Sequence, residues 1–184
     1  MDLTAGFVLT GGQSRRMGRD KALLPIEGMS MVERTARLVE TAAQNVTLIG
    51  APDRYRQLGF PVAADLVEDC GPVGGLYTAL ETTRADWNLL LACDMPGLTE
   101  AFLRELIAAA QASGALCTVP ESEAGWHPLC AVYRRGARAA ATAGIVHKRF
   151  KMHDLLKDLG AVAWPVSDAA LLQNVNTPQE WSAR

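Results

Sequence analysis

Apolar residues in this chain follow two rhythms, and the alternation of the two lays out its elements. Short, mostly apolar runs at Gly6 to Leu9, Val46 to Ile49, Trp87 to Ala92, Ala115 to Pro120, His127 to Tyr133 and Val162 to Val166 predict strands, with a weaker one at Pro61 to Ala64. Between them the spacing changes to three and four. Met31 to Ala43 carries Val32, Ala36 and Val39 with charges between, and Thr99 to Ser113 carries Phe102, Leu103, Leu106 and Ile107 on one stripe. Both are predicted amphipathic helices. A further helix opens at Gly71-Pro72 and runs to about Thr83, since a proline in the first turn loses no intrahelical bond. Gly136 to Leu159 reads as helical and basic, and Glu121 to Gly125 as a polar turn. Trp87 to Ala92, apolar apart from Asn88, is flanked by helical patterns, which marks a parallel strand covered on both faces. The fold class that follows is α/β: one three-layer α/β/α sandwich over residues 1–184, with a mostly parallel sheet. No repeat, low-complexity tract or linker divides it.

A hydrophobic content of 49% over 184 residues suffices for a sizeable core. The net charge of −2 gives no basic field for nucleic acid, so an anionic ligand must be held locally. No apolar stretch is long enough to span a bilayer, and Met1-Asp2-Leu3-Thr4 does not resemble the start of a signal peptide, so a cytoplasmic protein is expected. Cys70, Cys93, Cys117 and Cys130 are scattered without a CxxC pair, which indicates neither a zinc site nor a disulfide framework and suits small buried hydrophobes.

Candidate chemistry is concentrated after the first strand. There the chain reads Val8-Leu9-Thr10-Gly11-Gly12-Gln13-Ser14-Arg15-Arg16-Met17-Gly18-Arg19-Asp20-Lys21. Adjacent glycines let backbone N–H groups face an anion without Cβ clashes, and Arg15, Arg16 and Lys21 add full charges for a polyphosphate. The glycine spacing fits neither the P-loop nor the dinucleotide fingerprint. Asp94 follows the most apolar strand, where ligands of open α/β sheets bind, although a carboxylate there also suits a turn or a helix cap. His127 precedes a proline, a common place for a structural hydrogen bond. His147, Lys148, Arg149 and Lys151 form a basic cluster that suits either solvent or an anionic substrate. Near the end, capping accounts for Thr177, Pro178 and Glu180 but leaves Asn174 and Asn176 unexplained.

Four ordered motifs, Leu9 to Lys21, Gly71 to Gly75, Cys93 to Pro96 and Asn174 to Pro178, together resemble those of the molybdenum cofactor guanylyltransferases, nucleotidyltransferases of Rossmann-like fold. Thr10 stands where most of that family has Ala, and Gly50 where some relatives carry Asn. The resemblance implies transfer of GMP from GTP to the phosphate of molybdopterin, with Mg²⁺ as cofactor. It implies Arg16, Lys21 and Asp94 as catalytic residues, with Asp94 the metal ligand. GTP would meet Leu9, Thr10, Gly11, Gly12, Lys21, Asp65, Gly71, Pro72 and Asp94, and molybdopterin would meet His127, Arg149, Asn174 and Asn176. Expected partners are these two substrates and a molybdoenzyme or cofactor-biosynthesis protein, with neither nucleic acid nor membrane. The alternatives are a cytidylyltransferase of the same cofactor, a sugar-phosphate nucleotidyltransferase, and a non-catalytic nucleotide- or cofactor-binding adaptor.

Overall fold

A computed structural model describes residues 4–10, 21–23, 25, 26 and 28–175. Gly11, Gly12, Arg16, Asn176 and the Thr177-Pro178 cap lie outside the described residues. In chain order the elements are β1 (Thr4–Leu9), β2 (Pro25–Ile26), β3 (Met29–Ser30), α1 (Met31–Ala43), β4 (Thr47–Ile49), α2 (Pro52–Tyr55), β5 (Val62–Ala63) and α3 (Gly71–Thr82). They continue as β6 (Trp87–Ala92), α4 (Glu100–Ser113), β7 (Cys117–Ser122), β8 (Gly125–Trp126), β9 (Cys130–Arg134), α5 (Arg138–Val146), α6 (Met152–Asp158) and β10 (Val162–Pro165).

The main sheet has the order β10-β7-β9-β6-β1-β4-β5, with β8 hairpinned onto β7, while β2 and β3 form a small separate ribbon. Neighbours run parallel except at β9, which is antiparallel to both β6 and β7. The expected mostly parallel α/β/α architecture is therefore present. Alternation along each central strand feeds two cores. On one face Val8, Leu48, Leu89 and Leu91 pack under α1 and α4 with Val32, Ala36, Val39, Phe102, Leu103 and Leu106. On the other, Phe7, Leu9, Ile49 and Leu90 pack under α3 and α6 with Leu76, Leu80, Leu155 and Leu156. Burying Leu89, Leu90 and Leu91 contributes about 1.5–3 kcal/mol each, while the buried Asn88 of the same strand donates to the Ala85 and Tyr133 carbonyls.

Local signals set the helix ends. Ser30 Oγ accepts from the Glu33 N–H at the start of α1, and Thr99 Oγ1 accepts from the Phe102 N–H at the start of α4. Gln44 and Gly114, both in the left-handed region, end these helices. Three expectations need correction. The strand predicted from His127 begins only at Cys130, because Pro128 sits in a turn closed by the Cys130 N–H donating to the His127 carbonyl. The helix predicted over Gly136 to Leu159 is two helices, parted at 147–151, where Lys148 takes a φ of 53°. The polar turn is shorter than predicted, since Glu121 and Ser122 stay in β7 and Gly125 already begins β8.

Candidate active site

Strand register gathers the candidate residues at one end of the sheet. Leu9 pairs with Ala92 on one side and Ile49 on the other, and Ile49 pairs with Ala63, so β6, β1, β4 and β5 all finish level. From those ends emerge Cys93-Asp94, Thr10 with the glycine loop, Gly50, and Ala64-Asp65. The chain travels outward from β1 to β4 and β5, then returns to β6 on the opposite side of β1. Such a reversal opens a crevice beyond the strand ends, the usual ligand site of open α/β sheets.

The first turn of α3 forms a wall of that crevice. A Cβ on Gly75 would lie 2.7 Å from a Leu9 methyl, so glycine lets the helix press against the end of β1. Gly71, with φ of 55°, makes the sharp approach, and Pro72 occupies the first turn. Unpaired N–H groups of the opening turn thus face the same end as the strand termini. The loop carrying Asp65 is fastened to this helix, because the Leu66 N–H donates to Thr78 Oγ1 at 3.0 Å. Asp65 stays accessible, yet partial burial of its carboxyl raises its pKa above the ordinary value.

Asp94 is half-buried, with Oδ1 buried. Its turn is gripped from three sides. The Val175 N–H donates to the Asp94 carbonyl at 2.8 Å, and an Arg34 Nη donates to the Pro96 carbonyl at 3.3 Å. Gly97 lies so close to the returning chain that a Cβ there would stand 2.6 Å from the Ala170 carbonyl oxygen. Leu172 and Val175 are buried, and the exposed Asn174 between them is carried beside the Asp94 turn. Two motifs far apart in sequence therefore form one unit.

His127 arrives from another direction. Its turn is tied to the end of β6, where the Ala92 N–H donates to the Leu129 carbonyl at 2.7 Å. His127 Nε2 and Ser122 Oγ share a hydrogen bond of 2.7 Å, and burial pushes the imidazole pKa down, leaving the ring neutral at pH 7. Arg149 lies in the break between α5 and α6. Gly144, which approaches Val73 of α3, would place a Cβ 3.1 Å from the Arg149 carbonyl, so this break borders the first turn of α3. The guanidinium pairs with Asp158 at 2.7 Å in an exposed contact. Lys21 begins a short 3-10 helix anchored by buried Ala22.

The polar groups of Thr10 are engaged within the protein. The N–H and Oγ1 both donate to the Ile49 carbonyl, at 3.0 and 2.8 Å, and the Thr10 carbonyl accepts from the Tyr55 hydroxyl at 2.9 Å. Sequence reasoning passed over Arg34, Ser122 and Gly97. Arg34 and Gly97 act on chain distant in sequence, and Ser122 meets His127 across the β7–β8 hairpin, a pairing that hydrophobic periodicity does not signal.

Known proteins resemble this chain in sequence and fold. Residues 6–162 match the MobA-like NTP transferase domain. A probable molybdenum cofactor guanylyltransferase of Synechococcus elongatus is 34% identical over 187 residues, covering 97% of this chain and 96% of that protein. A molybdenum cofactor guanylyltransferase of Xanthomonas euvesicatoria is 34% identical, covering 96% and 92%. In fold, the chain resembles molybdopterin-guanine dinucleotide biosynthesis protein A of Archaeoglobus fulgidus, with a TM-score of 0.83 at 21% identity over 97% of this chain and 95% of that one. With the family match spanning most of the sequence and relatives a third identical over nearly its whole length, the chain belongs to the MobA-like NTP transferase family and is a nucleotidyltransferase.

Proposed function

We propose that this protein transfers GMP from GTP to the terminal phosphate of molybdopterin, with release of pyrophosphate. The observation that carries the reading is the level row of strand ends, which brings Thr10, Asp65, Asp94 and the segment bearing Asn174 to one crevice. The relatives named as guanylyltransferases over nearly the full chain support the choice of substrates.

In the reaction, a phosphate oxygen of the pterin attacks the α-phosphorus of GTP while the bond from that phosphorus to the pyrophosphate oxygen breaks. Like charges converge, so the barrier is largely electrostatic and falls with fixed donors and cations. Leu9, Thr10, Gly11 and Gly12 are the residues that meet the nucleotide. Arg16 and Lys21 hold the triphosphate and take up charge on the departing pyrophosphate. Gly71 and Pro72 bring the α3 N-terminus against the nucleotide, and Asp65 accepts from guanine or ribose. On the pterin side His127, as a neutral ring, donates a hydrogen bond, and Arg149, Asn174 and Asn176 complete the contact.

Mg²⁺ fits the donor set. Among the described residues no group of three or more His, Cys, Asp or Glu is assembled to cage a metal, whereas Mg²⁺ needs one or two carboxylates and keeps its waters and substrate phosphates. Asp94 is the residue to hold it. When bound, Mg²⁺ neutralises phosphate charge and aligns the reacting groups. Among the described residues no helix is long and apolar enough to cross a membrane, in keeping with work in the cytoplasm and delivery of product to a molybdoenzyme or another cofactor-biosynthesis protein.

The test is incubation with GTP, Mg²⁺ and molybdopterin, following pyrophosphate and the guanine dinucleotide. Product with GTP and none with CTP is the expected result. Faster turnover with CTP assigns the protein to cytidylyl transfer, and binding without any turnover leaves an adaptor.

A further inference from the structure

Thr10 leaves β1 and Gly50 leaves β4 side by side, and each occupies the space the other would need. A Cβ on Gly50 would stand 2.1 Å from Thr10 Oγ1 and 3.3 Å from Cε2 of Tyr55. Gly50 is pinned by its own N–H, which donates to the Ala63 carbonyl at 3.0 Å. Thr10 is pinned by the two bonds to the Ile49 carbonyl. Behind both sits Tyr55, at the end of α2 and only 2% exposed, with its hydroxyl 2.9 Å from the Thr10 carbonyl.

A buried hydroxyl costs free energy unless it is bonded, and a phenylalanine would fill the same space without that demand. What tyrosine adds is a fixed direction for one carbonyl. That carbonyl belongs to the peptide leading into the glycine loop. Because a peptide is planar, fixing the direction of this C=O fixes the plane in which β1 ends at Thr10.

We infer that Tyr55 is a positioning residue for the nucleotide: locked with Thr10 and Gly50, it orients the peptide at which β1 hands over to the glycine loop. The inference rests on the proposed nucleotidyl transfer only in assuming that this loop holds a triphosphate. It also accounts for the two departures from the family pattern together. With threonine at 10, no side chain fits at 50, so the extra hydroxyl and the missing side chain are one packing solution.

Equilibrium titration of GTP with Mg²⁺ into wild type and Tyr55→Phe tests it. Tyr55→Phe is expected to weaken GTP about tenfold, equivalent to ~1.4 kcal/mol, with kcat changed less than KM. Gly50→Ala is expected to weaken GTP as well, and adding Thr10→Ala to it should recover most of the loss, because removing Oγ1 opens the room the new methyl requires. Wild-type GTP affinity in Tyr55→Phe, even with a lower melting temperature, would overturn the inference and reduce the hydroxyl to packing. If wild type prefers CTP, the guanylyl reading fails, and the same comparison made with CTP still decides the role of Tyr55. Binding of none of the four triphosphates by wild type would overturn both.

Discussion

Gly97→Ala puts the grip on the Asp94 turn to a direct test. The new methyl would lie 2.6 Å from the Ala170 carbonyl oxygen, 3.1 Å from Leu171 Cα and 3.2 Å from the Leu171 carbonyl oxygen. All three are backbone atoms, so no side chain can swing aside. The segment must retreat by roughly 0.8 Å to reach ordinary van der Waals contact. Overpacking of this kind costs about 1–3 kcal/mol, and straining the bond from the Val175 N–H to the Asp94 carbonyl adds about 1 kcal/mol. At about 2–4 °C per kcal/mol for a chain of this length, the melting temperature should fall by roughly 5–15 °C. Turnover at 25 °C, where the variant remains folded, should fall further than stability explains, by up to about 100-fold, the scale of a 1 Å misplacement in a reacting site. Differential scanning calorimetry and pyrophosphate release measured on the same preparation give both numbers. An unchanged melting temperature would refute the packing argument. A lowered one with wild-type turnover would show that the C-terminal segment does not position Asp94.

Three other substitutions address single residues. Lys21→Ala should lower kcat by about 100-fold with thermal stability intact, the scale set by loss of one donor to developing charge; wild-type kcat would remove Lys21 from the chemistry. Asp94→Asn keeps the shape of the turn and loses the charge, so turnover should collapse at ordinary Mg²⁺ and return in part at high Mg²⁺ or with Mn²⁺, as metal titrations at constant temperature would reveal. Asp65 holds its proton more tightly folded than unfolded, so its contribution is most favourable below pH 3.8 and is lost as pH rises through the folded pKa. Asp65→Asn should therefore melt slightly above wild type at pH 7, converge with it near pH 4, and bind GTP more weakly; a less stable variant at pH 7 would contradict the desolvation.

Much of the scaffold is written in short-range signals. The α1 limits, Met31 and Ala43, follow from an apolar stripe with Ser30 capping it, and the β6 limits, Trp87 and Ala92, from a mostly apolar run. Where the reading overshot, the competing signal was weak or absent. Pro128 lies inside an otherwise strand-like run and turns the chain, while the break at Lys148 carries neither glycine nor proline. The antiparallel insertion of β9 between β6 and β7 is a matter of which strand lies beside which, and hydrophobic periodicity does not encode neighbours. Asp94, Asp65 and His127 were identifiable from strand ends and motifs. The contacts that hold the Asp94 and His127 turns beside the strand ends, Val175 to Asp94, Gly97 to Ala170 and Ala92 to Leu129, join backbone groups, so no side chain announces them.

The borders of the sheet have a consequence for the protein in a crowded solution. Among the described residues the outermost strands are β5, two residues long and preceded by Pro61, and β10, four residues long and ending at Pro165. A long, flat border with free N–H and C=O groups is a template on which another chain can add a strand. One of these borders is too short to serve, and the other ends in a residue with no N–H to donate. The central strands, apolar enough to drive fibril-like stacking, are screened behind them. Exchange of Pro165 for valine would lengthen the usable border beside the exposed Val162, and this is where self-association on prolonged storage would be expected to begin.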